Sequence, residues 1–243
     1  MTIPKNKIMK ILKLLSLAFL PGMLMSQEIK FSVLTGPGIS WIASNDNQIS
    51  SSGFKISYKA HVQAEYWFND RYAATGGIGL SLGQGGHLEF LKGGDLWKEA
   101  ELSDTKYKNL PDNASLGYRM NYIDIPFGFK LRTNEFGKFR FYVHAPEFCI
   151  SLRTRARGTI EAAPLPDTEG EDIRKMVSFF GLFYGIGLGG EMRISTDVSL
   201  VGGLRFYQSF TDITDDSGRY SDGTREDSKG ILSSLDFRFG VIF

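Results

Sequence analysis

Cysteine, histidine and long apolar runs are all scarce in this chain of 243 residues. Cys149 is the single cysteine, which excludes an intramolecular disulfide. The three histidines are scattered, without the spacing of a zinc site. The 28 basic and 27 acidic residues nearly balance, so the composition does not indicate a nucleic-acid ligand. The sequence therefore predicts neither a metal nor another cofactor.

The first 26 residues differ in composition from the rest of the chain. They contain four lysines and no acid, and an apolar run from Leu14 to Met25 follows the lysines. This run is shorter than the roughly 20 residues that a spanning helix needs. Residues 1–26 are therefore predicted to be a secretory signal peptide, followed by one domain over residues 27–243. An amphipathic helix of a cytosolic protein is the alternative, and the position of the lysines disfavours it.

Apolar and polar residues alternate along most of the remaining chain, with the period of two that is typical of β-strands. We call each set of alternate residues along a strand a parity. From Phe54 to Phe68, the even-numbered parity is entirely apolar, while the odd-numbered one carries lysine, histidine, glutamine and glutamate. The same sorting recurs often enough to predict eight strands. In the fifth, the apolar parity changes near Pro146, which indicates a β-bulge.

Short and long connections alternate between the predicted strands. The short ones cover residues 69–71, 133–138 and 195–197, and the long polar ones cover residues 43–53, 83–117, 158–176 and 212–229. In an antiparallel meander, this alternation places the tight turns at one end of the sheet and the long loops at the other.

An uncharged parity on such long strands favours a transmembrane β-barrel over a soluble sandwich. Strands of roughly 9 to 11 residues suffice to cross a bilayer, and a closed sheet leaves no unpaired edge in hydrocarbon. A lysine or arginine on the lipid face costs about 2–4 kcal/mol at the midplane, which explains the uncharged parity. Aromatic residues near strand ends fit an interfacial girdle: Trp41, Tyr58, Tyr66, Phe68, Tyr72 and Phe243.

The predicted fold is an all-β, eight-stranded antiparallel up-and-down transmembrane β-barrel in a Gram-negative outer membrane. Its termini and short turns are expected on the periplasmic side and its long loops on the extracellular side. Eight strands enclose little more space than side chains fill, so an open porin is not expected.

Three segments resemble strands of the PorT-like outer-membrane β-barrel family, which has the size of the OmpA/OmpX barrels. They are "YIDIPFGFKL" (Tyr122–Leu131), "GLFYGIGLGGEM" (Gly181–Met192) and "LRFYQSFTDI" (Leu204–Ile213). The final stretch "LDFRFGVIF" is similar to the signal by which outer-membrane barrels are recognised for assembly, with Phe243 as its aromatic residue. The resemblance covers about residues 31–243, and "HAPEFCISLRTR" departs from the glycine-rich strand start expected there.

The resemblance also implies partners for the chain. These are outer-membrane lipid, the barrel-assembly machinery and, by analogy, other envelope proteins of a secretion or gliding apparatus.

Three arginines at a spacing of two, Arg153, Arg155 and Arg157, are predicted to line the lumen near its outer end. The favoured interpretation pairs them with lumenal acids in a network that fills the barrel. These acids are Glu65, Asp124, Glu191 and Asp236. The alternative is a site for an anionic ligand, such as a lipopolysaccharide phosphate or a peptide carboxylate.

The sequence favours a non-enzymatic structural or interaction component of the envelope. His61 and His144 lie on inward parities and are predicted to join the lumenal network, while His87, near Glu89 and distant from Ser81, is a weak candidate base. Two alternatives stay open. One is an outer-membrane enzyme acting on lipid A or peptides, and the other is a soluble exported lipocalin-like barrel, whose apolar parity would face inward.

Overall fold

The computed structural model describes residues 28–243, so the predicted signal peptide lies outside the described residues. Eight long strands make up most of the described chain. They are β1 (Glu28–Ser44), β2 (Ile49–Trp67), β3 (Tyr72–Phe90), β4 (Ala114–Arg132), β5 (Phe139–Glu161), β6 (Phe180–Arg193), β7 (Ser199–Ser209) and β8 (Gly230–Ile242). Within this range, no helix is both long and apolar enough to cross a membrane.

Each strand pairs antiparallel with its neighbour in the chain, and the last strand closes against the first. The β1–β8 register runs from Ser32 opposite Ile242 to Ser44 opposite Gly230. Closure satisfies the backbone groups that an open edge would leave unpaired. The predicted eight-stranded up-and-down barrel is confirmed, as is the pairing of "LDFRFGVIF" with the first strand.

The two ends of the barrel differ. Residues 68–71, 133–138 and 194–198 form short connections at the turn end, and residues 91–113, 162–179 and 210–229 form long ones at the loop end. The first long connection is shorter than predicted: pairing continues to Ser44 and resumes at Ile49, so that only residues 45–48 link β1 to β2. The polar stretch there extends the strands beyond the apolar part of the barrel instead of forming a loop.

Small elements occur within the long connections. These are two 3-10 turns (Thr105–Lys108 and Arg174–Met176), a strand beside β5 (Thr168–Asp172) and a two-residue pair (Gly94–Asp95 with Arg219–Tyr220).

Apolar side chains face outward in the half of the barrel next to the turn end. On β4 the outward residues are Ile123, Ile125, Phe127, Phe129 and Leu131, all at least 36% exposed. The strand rises about 27 Å from Leu131 to Ile123, which a tilt of about 40° reduces to about 20 Å, close to the lipid-facing band of outer-membrane barrels. The outward direction contradicts the lipocalin-like alternative, which required this parity to face the interior.

Toward the loop end, the apolar residues change faces. On β4 they move without a bulge from the outer face to the inner one, where Leu116, Tyr118 and Met120 are buried. On β3 and β5, β-bulges at Leu82–Gly83 and at Thr154 reverse the parity, because a bulge sets two residues against one. The three changes lie side by side in the sheet. We call this line of residues the reversal row (Leu82, Gly83, Asn121, Tyr122 and Thr154).

The bulge predicted near Pro146 is also present. The β5–β6 register shifts between His144 and Glu147, and the side chains of both residues are buried inside the barrel. Outward Phe141 and Val143 before the bulge, and Phe148 and Ile150 after it, match the predicted change of parity.

Candidate functional site: the lumen and the outer wall

The lumen at the turn end is crossed by ion pairs centred on Lys130. Its Nζ lies 2.7 Å from Glu65 Oε1 on β2 and 2.5 Å from Glu191 Oε1 on β6. Beside it, the guanidinium of Arg132 stacks 3.5 Å from the ring centroid of Trp67. Two buried carboxylates and two cations thus occupy this level and neutralise one another.

A second group of charges fills the middle of the lumen. Arg238 Nη2 donates to both carboxylate oxygens of Glu147, at 2.9 and 3.0 Å. Arg205 Nη1 lies 3.5 Å from the same carboxylate. Lys59 Nζ approaches Asp236 Oδ2 at 2.8 Å, so each of these acids has a basic partner from another strand.

Asp124 collects a histidine and two serines, the residue types of a hydrolase. Its carboxylate accepts hydrogen bonds from Ser81 and from Ser151, the latter at 2.7 Å, and contacts His61 Nε2 at 3.1 Å. The other ring nitrogen of His61 faces Arg205 at 3.2 Å. In a catalytic triad the histidine bridges serine and acid, whereas here the acid is the bridge. The cluster therefore has the geometry of a hydrogen-bonded group that packs the lumen, and not that of a catalytic triad.

An aromatic plug closes the lumen on the loop side. Trp97, from the β3–β4 connection, enters the barrel, donates its indole N–H to the Tyr118 hydroxyl at 3.0 Å and packs edge-on against that ring. Gly158 on β5 leaves room for it, because a Cβ there would lie 2.4 Å from the indole. Between plug and polar network, a cavity of about 10 Å³ is lined by Lys59, Tyr122 and other side chains. That is room for about one water molecule.

The structure does not bring the predicted arginines and acids together. The four acids have the partners described above, and Arg153 instead donates to the Val177 carbonyl at 3.2 Å. The bulge at Thr154 places Arg155 and Arg157 on the outer face, where Arg157 lies 3.7 Å from Asp172. The predicted lumenal position of Arg155 and Arg157, and the pairing of the series with these acids, were therefore wrong. The predicted roles of His61 and His144 in the lumenal network are confirmed.

A hollow of about 1010 Å³ lies on the outer wall at the reversal row. Its basic lining consists of Lys55, Arg119, Arg155 and Arg157, and its apolar lining includes Ile56, Tyr58 and Leu82. Gly83 shapes the wall between these groups: its φ of +70° suits glycine, and a Cβ there would lie 3.6 Å from the Arg119 guanidinium. We call this feature the basic hollow.

Sequence reasoning missed two members of the basic hollow, Lys55 and Arg119. Arg119 shares the parity of lipid-facing Ile123, which is the signal that could have located it on the outer wall. His87 also lies at the loop end, between Gly53 and Gly117 on the paired strands, while Ser81 points into the lumen toward Asp124. The weak candidate base is therefore not assembled with that serine.

A carboxylate holds two of the long connections together. Glu171 accepts hydrogen bonds from the backbone N–H and hydroxyl of Ser103, at 2.6 and 2.5 Å, and from the hydroxyl of Thr168 at 2.6 Å. Burial raises the pKa of this carboxyl, but the hydrogen bonds outweigh it, so the pKa lies below its usual value. The ionised form is thus the one that ties residues 91–113 to residues 162–179.

Comparison with known proteins supplies a family and several similar folds. A family model described as "Outer membrane protein beta-barrel domain" matches residues 25–215, while no curated protein matches the sequence. Among solved structures, Neisserial surface protein A is 13% identical, with 90% of this chain and 98% of that one covered and a TM-score of 0.42. The outer membrane protease OmpT from Escherichia coli is 8% identical, with 91% and 99% covered and a TM-score of 0.41. OprG from Pseudomonas aeruginosa is 12% identical, with 88% and 95% covered and a TM-score of 0.39.

Proposed function

Because the chain belongs to the family of outer membrane protein beta-barrel domains, we propose that it is a non-enzymatic outer-membrane protein whose barrel is a rigid support for interacting loops. The filled lumen carries this proposal. Ion pairs cross it at two levels, and the Trp97 plug covers them on the loop side. A filled interior neither conducts solutes nor admits a substrate, which leaves the loops and the outer wall for interaction.

The lumenal network supports a mechanical role. Lys130 joins β2, β4 and β6, and Glu147 joins β5 to β7 and β8, so the pairs brace the barrel across its width. Breaking one partner of a buried pair leaves an uncompensated charge in a low dielectric. A network of ion pairs between strands stiffens the structure and holds the strand ends, and hence the loops, in fixed positions.

The orientation in the membrane follows the usual arrangement of these barrels, with short turns in the periplasm and long loops outside. The start of β1 and Phe243 would then both lie on the periplasmic side. On this proposal the lipid-facing band contacts outer-membrane lipid, and the barrel-assembly machinery recognises the strand that ends at Phe243. The loops contact envelope proteins, and the PorT-like resemblance supports a secretion or gliding apparatus as their source.

Planar-bilayer recording tests the filled lumen. We expect the refolded mature protein to show no stable large conductance under conditions in which an open porin from the same preparation conducts. Stable large channels would contradict the filled lumen and the support role that rests on it.

Crosslinking in intact envelopes tests the interaction role. The full barrel is compared with a variant in which residues 162–179 are replaced by a short glycine-serine turn, both at equal outer-membrane levels. We expect envelope proteins to be captured by the full barrel and lost from the variant. Identical capture by both would contradict a role for this loop, and capture by neither would contradict the interaction role.

The enzyme alternative has its own test. Mass spectrometry of lipid A from cells with and without the gene should show identical acyl chains. A difference that disappears with His87→Ala would replace the non-enzymatic proposal.

A further inference from the structure

The basic hollow places like charges directly opposite one another. Arg119 on β4 and Arg157 on β5 are cross-strand partners, and Arg155, opposite Asn121, is the next residue on the same face. Like charges in this relation destabilise a sheet. An anion bound between the guanidinium groups would reduce this repulsion and so stabilise the folded sheet.

Acidic residues near the hollow offset only part of this charge. Arg157 lies 3.7 Å from Asp172 and donates to the Gly170 carbonyl at 3.1 Å. Within residues 28–243, ion pairs to Arg119 and Arg155 are absent, and both side chains are exposed. Glu169 is the acidic member of the lining, against four basic side chains. The hollow therefore holds an excess of positive charge that is available to a ligand.

The hollow also lies at the border of the lipid-facing band. Arg119 is two residues beyond Asn121 and four beyond Ile123, the last lipid-facing residue of β4 on this side. Four strand residues correspond to about 13 Å along the strand, and less along the membrane normal. Basic residues cost little at this depth, since the penalty for arginine falls to about 0–1 kcal/mol near the interface. Lipid headgroups occupy the same level.

The apolar lining extends the site toward the hydrocarbon. Ile56 is 74% exposed, Tyr58 46% and Leu82 43%, and all three line the hollow. Tyr58 and Leu82 are cross-strand partners on the side of the lipid band. A ligand that fills both parts must carry negative charge at one end and an apolar chain at the other. Arginine is suited to phosphate, because its planar fork donates two parallel hydrogen bonds.

The geometry points to a binding site for a phosphate-bearing membrane lipid in the basic hollow, with the phosphate between Arg119, Arg155 and Arg157 and an acyl chain along Tyr58 and Leu82. This site lies outside the barrel and does not depend on the role of the loops. If the loop end faces outward, as proposed above, the lipid is a phosphorylated glycolipid of the outer leaflet.

Native mass spectrometry of the refolded mature barrel in nonionic detergent tests the site. The probes are diphosphorylated lipid A, the same lipid after removal of its phosphates, and inorganic phosphate. The double variant Arg119→Gln/Arg155→Gln is compared with Arg225→Gln, which removes an exposed arginine from the same end of the barrel, outside the hollow. Heat-dependent gel mobility checks that each variant is folded.

We expect wild type and Arg225→Gln to retain diphosphorylated lipid A equally and the double variant to retain at least about tenfold less. In lipid-free detergent, the double variant should be as stable as wild type or more so, because a repulsion has been removed; a purely structural role for these arginines predicts lower stability. Equal lipid retention by the double variant would overturn the proposal, as would equal retention of the dephosphorylated lipid. Displacement of the lipid by inorganic phosphate at equal concentration would overturn the choice of a lipid.

Discussion

Glu147 on β5 and Arg238 on β8 meet inside the barrel, with one guanidinium nitrogen 2.9 and 3.0 Å from the two carboxylate oxygens. The pair joins two strands that are not neighbours in the sheet. Glu147 is fully buried, so its charge depends on Arg238 and Arg205 for compensation.

Glu147→Ala is expected to destabilise the barrel by about 3–5 kcal/mol, because Arg238 loses its buried counter-charge and Arg205 keeps only its contact with Asp236. Glu135→Ala removes a carboxylate that pairs with Arg140 and Arg193 at the turn end, where exposure is greater, and should cost about 1 kcal/mol or less. Urea unfolding of the refolded barrels measures both values. Similar losses for the two variants would contradict the bracing role of the lumenal network.

Deletion of Phe243 is expected to lower the amount of barrel in the outer membrane more than Asp236→Asn does. The backbone of Phe243 exchanges two hydrogen bonds with Phe31, both of 2.8 Å, and its exposed ring lies 6.5 Å from the Phe31 ring. Phe243→Tyr, which keeps an aromatic ring, should assemble as wild type does. Quantitative immunoblots of outer-membrane fractions compare the three, and equal levels for the deletion and Asp236→Asn would refute the assembly role.

Acidification is expected to loosen the contact between residues 91–113 and 162–179. The folded pKa of Glu171 is lowered, so its contribution to stability is complete above the unfolded carboxyl pKa of about 4.3 and is lost as pH falls through the folded value. A nitroxide attached at Lys108→Cys, in a Cys149→Ser background, reports loop mobility by electron paramagnetic resonance. Mobility should rise below about pH 4.

Glu171→Gln is the matched control for this transition. It removes the ionisable group but keeps an acceptor, so the nitroxide should already be more mobile at pH 7 and change little on acidification. A transition that survives in this variant would assign the pH dependence to another group.

Gly158→Val is expected to displace the Trp97 plug, because the new side chain would overlap the indole. Overpacking of this kind costs about 1–3 kcal/mol. Gly202→Val is the control, since a Cβ at Gly202 meets no atom within 4 Å. Acrylamide should quench tryptophan fluorescence more strongly in Gly158→Val than in wild type or the control, and equal quenching would show that the plug tolerates the change.

Alternation was sufficient to predict the eight strands, their closure and the lipid-facing side chains near the turn end. It could not locate the bulge at Thr154, because Leu152, Ala156 and Ile160 continue one unbroken parity through it. That parity faces lipid before the bulge and the barrel interior after it. Alternation identifies two faces, but what surrounds the strand decides which face is inside.

The sequence predicted that ion pairs fill the lumen, but it could not predict which residues pair with one another. Inward parity correctly placed Glu65, Asp124, Glu191 and Asp236 inside the barrel. Their partners, among them Lys130 and Arg205, come from strands whose relative stagger is set only when the barrel closes. The arginine series was misassigned because the bulge at Thr154 separates Arg153 from Arg155 and Arg157 and turns these two side chains to the outer face.

The reversal row also fixes the depth at which the barrel sits in the bilayer. On β3, β4 and β5, the outer face is apolar on the turn side of this row and polar or charged on the loop side. Sliding the molecule along its axis by one pair of strand residues, about 6.6 Å of chain, would draw Arg119 toward the acyl chains or lift Ile123 into solvent. Both displacements cost free energy, so the barrel keeps a fixed depth in the bilayer. Its loops therefore extend to a fixed distance from the membrane.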